Sequence, residues 1–343
     1  MKGLRLVLPP FAPDQSGASS VLYEMGGLLV ICDAGGCAGN ICGFDEPRWF
    51  TQPSAIFSAG LRDMDAILGR DDRLVEKLAQ AAEKLDVSFA AVIGTPVPAV
   101  IGTDYRALKR MIEKETGLPT LAIETTGVGL YDQGEEAAYL ALFQTFARET
   151  APVDTGTVGV IGVTPMEFGA HHPQTRIADA LRAESSVCCY GMGAGIDAVR
   201  QASRAKRNLV VAPAGLKAAQ YLQRTFGTPY EVTDPSAPAL LPQTDFSARR
   251  VLIIHQQVTA NTLRQELIRR GITDVTVASF FMMKTELSGP CDVHLAEEED
   301  FIRLVNDGHF DCIIGDQVLQ RLVPAFDGIW IDTPHFAISG RLL

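Results

Sequence analysis

Residues 27–49 read GLLVICDAGGCAGNICGFDEPRW. Residues 28–31 are four consecutive branched apolar side chains, the pattern of a strand buried on both faces of a parallel sheet. Cys32, Cys37 and Cys42 follow at equal spacing, with Gly35, Gly36, Gly39 and Gly43 among them. Then come Asp45, Glu46 and Arg48, closed by Trp49. The thiols therefore sit on a loop at the C-terminal end of a strand, where open α/β sheets carry their ligands. Glycines let a backbone approach a bound group closely, and thiolates are soft metal ligands.

Working outward, the periodicity alternates between short apolar runs and amphipathic helical spacing. A short strand is expected at 4–8, stopped by Pro9 and Pro10, and then a helix through Val21, Leu22 and Met25. Leu74, Leu78, Ala81, Ala82 and Leu85 have helical spacing. Strands at 89–93 and 118–123 alternate with helices at 104–116 and 134–148. A linker at 149–156 precedes a second unit, with strands at 157–163, 186–190 and 208–212 and helices at 174–184, 195–205 and 214–226. A second linker, 233–248, holds Pro235, Pro238 and Pro242. The third unit has strands at 250–254, 274–279, 311–314 and 328–331 and helices at 259–270, 298–306 and 316–322. This order predicts an α/β protein of three Rossmann-like, doubly wound domains with parallel sheets (1–150, 151–243 and 244–343) and a cleft between domains.

The formal charge of −11, from 30 basic and 41 acidic residues, argues against a nucleic-acid partner, which needs a basic footprint. No apolar run reaches the roughly 20 residues needed to span a bilayer, and no signal-peptide pattern opens the chain, so a cytoplasmic protein is expected. Seven cysteines in 343 residues do not form a disulfide framework, which leaves reduced thiols and metal ligands. No G-x-x-x-x-G-K-[ST] motif occurs, so no ATP site of that kind is expected in this chain. Gly191, Gly193 and Gly195 match a dinucleotide fingerprint only loosely.

Several stretches together resemble the nitrogenase component 1 superfamily, over nearly the whole chain. Gly36-Cys37 resembles the family's H-G-P-x-G-C loop. Residues 60–74, with Asp65 before Gly69 and then Leu74, are similar to E-x-D-x-x-x-G-G-x-x-x-L. Residues 94–104 resemble x-x-C-P-x-x-x-I-G-D-D, and residues 118–129 resemble P-V-x-x-x-x-x-G-F-x-G. Asn208 to Val211, with Gly227, Thr228 and Pro229 downstream, resemble the N-L-V…G-x-P core.

The resemblance implies an iron–sulfur cluster, a 4Fe–4S group shared between subunits, in a homodimer or a heteromer with a component-1 paralogue. It implies electrons from an ATP-dependent iron-protein reductase. Cys37 matches one cluster ligand, with Gly36 beside it. Cys32 stands where the family has histidine, and Cys42 is additional; either could be a co-ligand. The family's other cluster cysteines fall at 14–17 and on Thr95, where this chain has none. The catalytic cofactor's cysteine falls on Ala212, and its histidine falls near His335. Dinitrogen reduction is therefore not expected.

Each candidate has a plainer alternative. Cys32 could end a buried strand as a small apolar residue. Arg48 could hold an anionic group or pair with Asp45 or Glu46 on the surface. Glu124, Thr125, Thr126 and Tyr131 could line the crevice or cap loops. His171 and His172, before Pro173, read as a helix-entry turn. His255, at a strand end, and His335 are cavity candidates or satisfied core histidines. Three functions follow: a reductase component acting on an unknown substrate other than dinitrogen, a metallocofactor assembly scaffold or carrier, or a non-redox small-molecule binding protein.

Overall fold

The computed structural model describes residues 5–149, 154–183, 186–243, 248 and 250–342. The expected linkers at 149–156 and 233–248, and the domain limits drawn there, lie partly outside the described residues. Three parallel sheets follow one another along the chain. The first contains β1 (Gly27–Ile31), β2 (Ile56–Ser58), β3 (Phe89–Ile93) and β4 (Thr120–Ile123), in the order β2-β1-β3-β4. The second contains β5 (Asp154–Ile161), β6 (Ser186–Cys189), β7 (Ala205–Val210) and β8 (Tyr230–Val232), in the order β6-β5-β7-β8. The third contains β9 (Arg250–Ile254), β10 (Asp274–Ser279), β11 (Val293–His294), β12 (Cys312–Gly315) and β13 (Ile329–Asp332), in the order β11-β10-β9-β12-β13. Every strand pairing is parallel, with Leu29 opposite Ala91, Val160 opposite Leu209 and Ile253 opposite Ile314.

These orders reverse direction at β1/β3, β5/β7 and β9/β12, and each reversal opens a crevice at the carboxyl ends of the strands. Alternation along β1 assigns its faces. Leu29 and Ile31 pack under helices Asp14–Leu22 and Tyr131–Phe146, whereas Leu28, Val30 and Cys32 pack under helices Asp71–Ala82 and Tyr105–Thr116.

Helix Tyr131–Phe146 is the hub. Ala138, Tyr139, Leu142 and Phe143 share one core with Ile93 and Ile123 of the first sheet and Ile161 and Val210 of the second. Its first residue, Tyr131, joins the core of the third sheet with Leu252, Ile254 and Phe281. It meets helix Asp14–Leu22 backbone to backbone: a Cβ on Gly134 would lie 1.7 Å from the carbonyl oxygen of Asp14, and one on Gly17 1.8 Å from that of Tyr131.

The expected strand at 4–8 does not form among its described residues. The backbone N–H groups of Leu6, Val7 and Leu8 instead donate to the Glu298 carboxylate at 2.7, 2.9 and 2.6 Å. One side chain thus satisfies the donors a neighbouring strand would have taken. The three-residue β2 and β8 and the two-residue β11 carry too little pattern to register in sequence. Among the described residues no helix is long and apolar enough to cross a membrane.

Candidate functional site

The cysteine loop is built by Asp33 and glycine. Gly35 has φ +121°, a conformation that L side chains rarely adopt. Asp33 accepts the Ala38 N–H at 2.8 Å and the Ser58 hydroxyl at 2.6 Å, which starts the helical turn Gly36–Asn40. A π-helical turn, Ile41–Asp45, continues it. Such turns are rare and occur often at functional sites. Cys37 and Cys42, both half-buried, pack on the Leu29/Ile31 side of the sheet. Cys32 is buried on the opposite side, with Leu28 and Val30. The loop therefore gathers two of its three thiols on one face.

Burial raises the Cys37 thiol, with Asp33 adding to the effect and the Thr95 hydroxyl opposing it. Burial and then Glu46 raise Cys42. Neither is a pre-activated nucleophile of the low-pKa kind. Binding a metal would require each to lose its proton. Where the resemblance expects further cysteines, the chain carries hydrogen-bonding side chains that stitch the loops together. Thr95 donates to the Cys32 carbonyl at 2.6 Å. Asp14 accepts the N–H groups of Thr126 and Gly127 at 2.8 and 2.7 Å. Ser16 donates to Asp45 at 2.7 Å.

Arg48 is only 2% exposed. Its guanidinium donates to Glu46 at 2.7 and 2.6 Å, to Glu24 at 2.9 Å, and to the Ser20 carbonyl at 2.8 Å. It also contacts the Gly191 carbonyl and Met192 of the second unit and lies over the Tyr23 ring. Every guanidinium nitrogen is engaged within the chain. Of the two readings open in sequence, pairing with acid describes the geometry, but in the interior and without Asp45. The glycine-rich turn at 191–195 has a structural task here, since the Gly193 N–H also binds Glu24 at 2.7 Å.

The histidines lie elsewhere. His255 follows β9 and His335 follows β13, and their rings stack with centroids 4.7 Å apart and planes at 22°. The edge of Phe281 meets His335 at 4.8 Å. The Tyr131 hydroxyl lies 3.1 Å from Glu167 and 3.2 Å from His335 Nε2. Thr164 donates to Glu135 at 2.6 Å. These groups come from the strand ends of all three sheets, and none is more than 3% exposed.

Burial pushes His335 down to about 4, against Asp316, and His255 well below its ordinary value. Both rings are therefore neutral near pH 7, and the 3.6 Å approach of His335 to Glu167 is not an ion pair. With the Tyr131 proton given to Glu167, His335 Nε2 is the donor to Tyr131, which leaves Nδ1 bare. Nδ1 has no partner. His171 and His172 are exposed at the entry to helix Pro173–Ala180. Glu135, Glu167 and Thr164 carried no signal in sequence beyond a Glu inside the apolar run 163–168.

A family model described as nitrogenase component 1 type oxidoreductase matches residues 14–273. The chain belongs to that family. The nitrogenase iron-molybdenum cofactor biosynthesis protein NifE of Klebsiella pneumoniae is 26% identical over 219 residues, 57% of this chain and 46% of that protein. The chain thus spans about half the length of that curated relative. The solved structure of nitrogenase Cp1 at pH 6.5 superposes with a TM-score of 0.69 at 11% identity, covering 97% of this chain and 87% of that one. The same protein at pH 5 gives 0.70 at 13% identity, covering 99% and 86%. At such identities the likeness is one of fold.

In this nitrogenase component 1 type chain, Cys37 and Cys42 are two half-buried free thiols on one side of the first sheet. Among the described residues no three His, Cys, Asp or Glu side chains are grouped to hold a metal ion. The second group the resemblance implies does not fit. Ala212 stands in place of its cysteine, fully buried against Gly162. The His335 ring is enclosed by His255, Phe281 and Tyr131.

Proposed function

We propose that this protein is a nitrogenase-like electron-transfer component whose iron–sulfur cluster is held by Cys37 and Cys42 together with thiols of a second subunit. The carrying observation is the pair of half-buried thiols on one face of a strand-end loop, short of a full ligand set. Phe44, Val97, Val100 and Val128 are exposed in the segments that follow β1, β3 and β4. Apolar surface gathered on one edge is the signature of an interface. Two thiols from each of two chains supply the four that a 4Fe–4S cluster takes.

A bound cluster would supply one-electron transfer. In this proposal the chain's own residues hold it: Gly36 and Gly39 have open space that allows close backbone approach, and Trp49 packs on the same core as the two thiols. Electrons would come from an ATP-dependent iron-protein reductase, and the partner subunit would be a second copy or a component-1 paralogue.

The test is anaerobic purification followed by iron and acid-labile sulfide analysis. About four iron atoms per pair of chains are expected. Cys37→Ser and Cys42→Ser should each remove most of the iron and the visible absorbance and shift the protein toward monomer. A protein that stays colourless after anaerobic reconstitution with iron and sulfide overturns the reading.

A second reading, a metallocofactor assembly scaffold or carrier, draws support from the similarity to a cofactor biosynthesis protein. Steady ATP-dependent turnover with a reductase partner favours the reductase. Iron release to an acceptor protein without turnover favours the scaffold.

A further inference from the structure

The family resemblance implies a metal cofactor where the three sheets meet, yet the chemistry gathered there suits protons. We infer that this junction is a sealed, proton-sharing core that takes no metal cofactor and ties the packing of the three sheets to pH. Four observations carry this. First, the anchoring position is Ala212, which offers no ligand. Second, the His335 ring has His255 stacked on it at 4.7 Å and the Phe281 edge at 4.8 Å, so both the ring face and its flank are occupied by the chain itself. Third, the Tyr131 hydroxyl sits between Glu167 and His335, at 3.1 and 3.2 Å, filling the space where a shared ion would have to bridge them.

Fourth, the charges are not balanced by cations. Glu135 and Glu167 are fully buried acids facing one another across the helix Tyr131–Phe146 and the turn Pro165–Phe168. Asp132 and Glu136 flank them on the helix. Asp132 accepts the Met282 N–H, and Glu136 is bound by Lys284 and Lys217. Tyr139 lies beside Glu135 from the same helix. On the third sheet's side stand neutral His335 and His255. Behind them Asp316 is paired with Arg341, and Arg176 lies near His255. Among the described residues no lysine or arginine is bonded to Glu135 or Glu167, and burying two ionised carboxylates unpaired is far costlier than keeping protons on them. Burial, and then Glu167, raise Glu135 well above its ordinary value, and burial raises Glu167 to about 8.

The sign follows from linkage. A carboxyl whose folded-state value is raised contributes stability that is fully present below its ordinary value and is lost as pH climbs through the folded one. For Glu167 that window runs from 4.5 to about 8. The depressed histidines act oppositely but only below 6.5, so above that pH the carboxyls act without them. The test is thermal unfolding of the full chain between pH 6.5 and 8.5, with transition-metal content measured on the same samples. Wild type is expected to lose about 5 °C over this range. Glu135→Gln/Glu167→Gln, which mimics the protonated pair, should lose less than half as much. Metal per chain should be unchanged in Glu167→Gln and His335→Gln. An undiminished slope in the double variant, or in Glu167→Gln should the double variant not fold, overturns the inference. So does a halving of metal in His335→Gln with Cys37 intact. Complete absence of iron would defeat the cluster proposal and leave this one to be decided by the slope.

Discussion

Arg48→Ala should lower the unfolding free energy by about 3–5 kcal/mol, the range for removing one partner of a buried ion pair. The reason is what it leaves behind. Glu46 is 1% exposed and would lose the partner that binds both of its carboxylate oxygens, at 2.7 and 2.6 Å. The Ser20 carbonyl would lose its 2.8 Å donor, and the Gly191 carbonyl its contact. Such groups are costly when buried and unmatched. Lysine cannot repair this, because a single ammonium cannot reproduce a planar fork spread over Glu46, Glu24 and Ser20. Chemical denaturation of wild type, Arg48→Ala and Arg48→Lys measures the effect, and both variants should be severely weakened. A change within about 0.5 kcal/mol, as for ordinary surface positions, would mean the side chain is solvated and free to meet a substrate. Arg48 ties the cysteine loop to the turn at 191–192, so iron retention should fall in step with stability although Arg48 bonds to no thiol.

The strand elements were legible because parallel strands buried on both faces are continuous apolar runs. β1, β3, β9 and β12 follow from residues 28–31, 89–93, 250–254 and 311–314 with boundaries off by a residue or so. Strand ends then locate the crevices, and His255 was found by that rule, whereas His335 came from the family resemblance. Neither could show that they stack on each other, because they lie 80 residues apart on different strands. The thiol loop was legible as a cluster of residue types, but its faces were not. Cys32 and Cys37 separate because alternation along β1 sends Cys32 with Leu28 and Val30, a fact that needs the register. Glu135 and Glu136 illustrate the limit best. In sequence they are two acids in a helix, yet Glu135 is wholly buried against Thr164 while Glu136 meets Lys217 and Lys284. Only the third dimension tells them apart.

Gly134→Ala should be strongly destabilising, by about 3 kcal/mol or more, at the upper end of what overpacking costs. At an exposed helical position the same change would stabilise by roughly 0.5–1 kcal/mol, so even the sign is diagnostic. The added methyl would lie 1.7 Å from the Asp14 carbonyl oxygen and 3.0 Å from the Ala18 nitrogen. These are backbone atoms and cannot rotate away, so the two helices must separate. Separation pulls Asp14 from the N–H groups of Thr126 and Gly127, which it holds at 2.8 and 2.7 Å, and loosens the loops around Cys37. It also moves Tyr131 and Glu135, which flank Gly134 on the hub helix. Gly17→Ala tests the same crossing from the other side, 1.8 Å from the Tyr131 carbonyl oxygen, and should cost as much. Because both methyls force one displacement, the double variant should cost less than the sum of the two single ones. Strict additivity would mean that the two glycines serve separate contacts. In that case the thiol loop and the buried acids would not depend on one helix crossing, and the hub helix would lose its claim to position both.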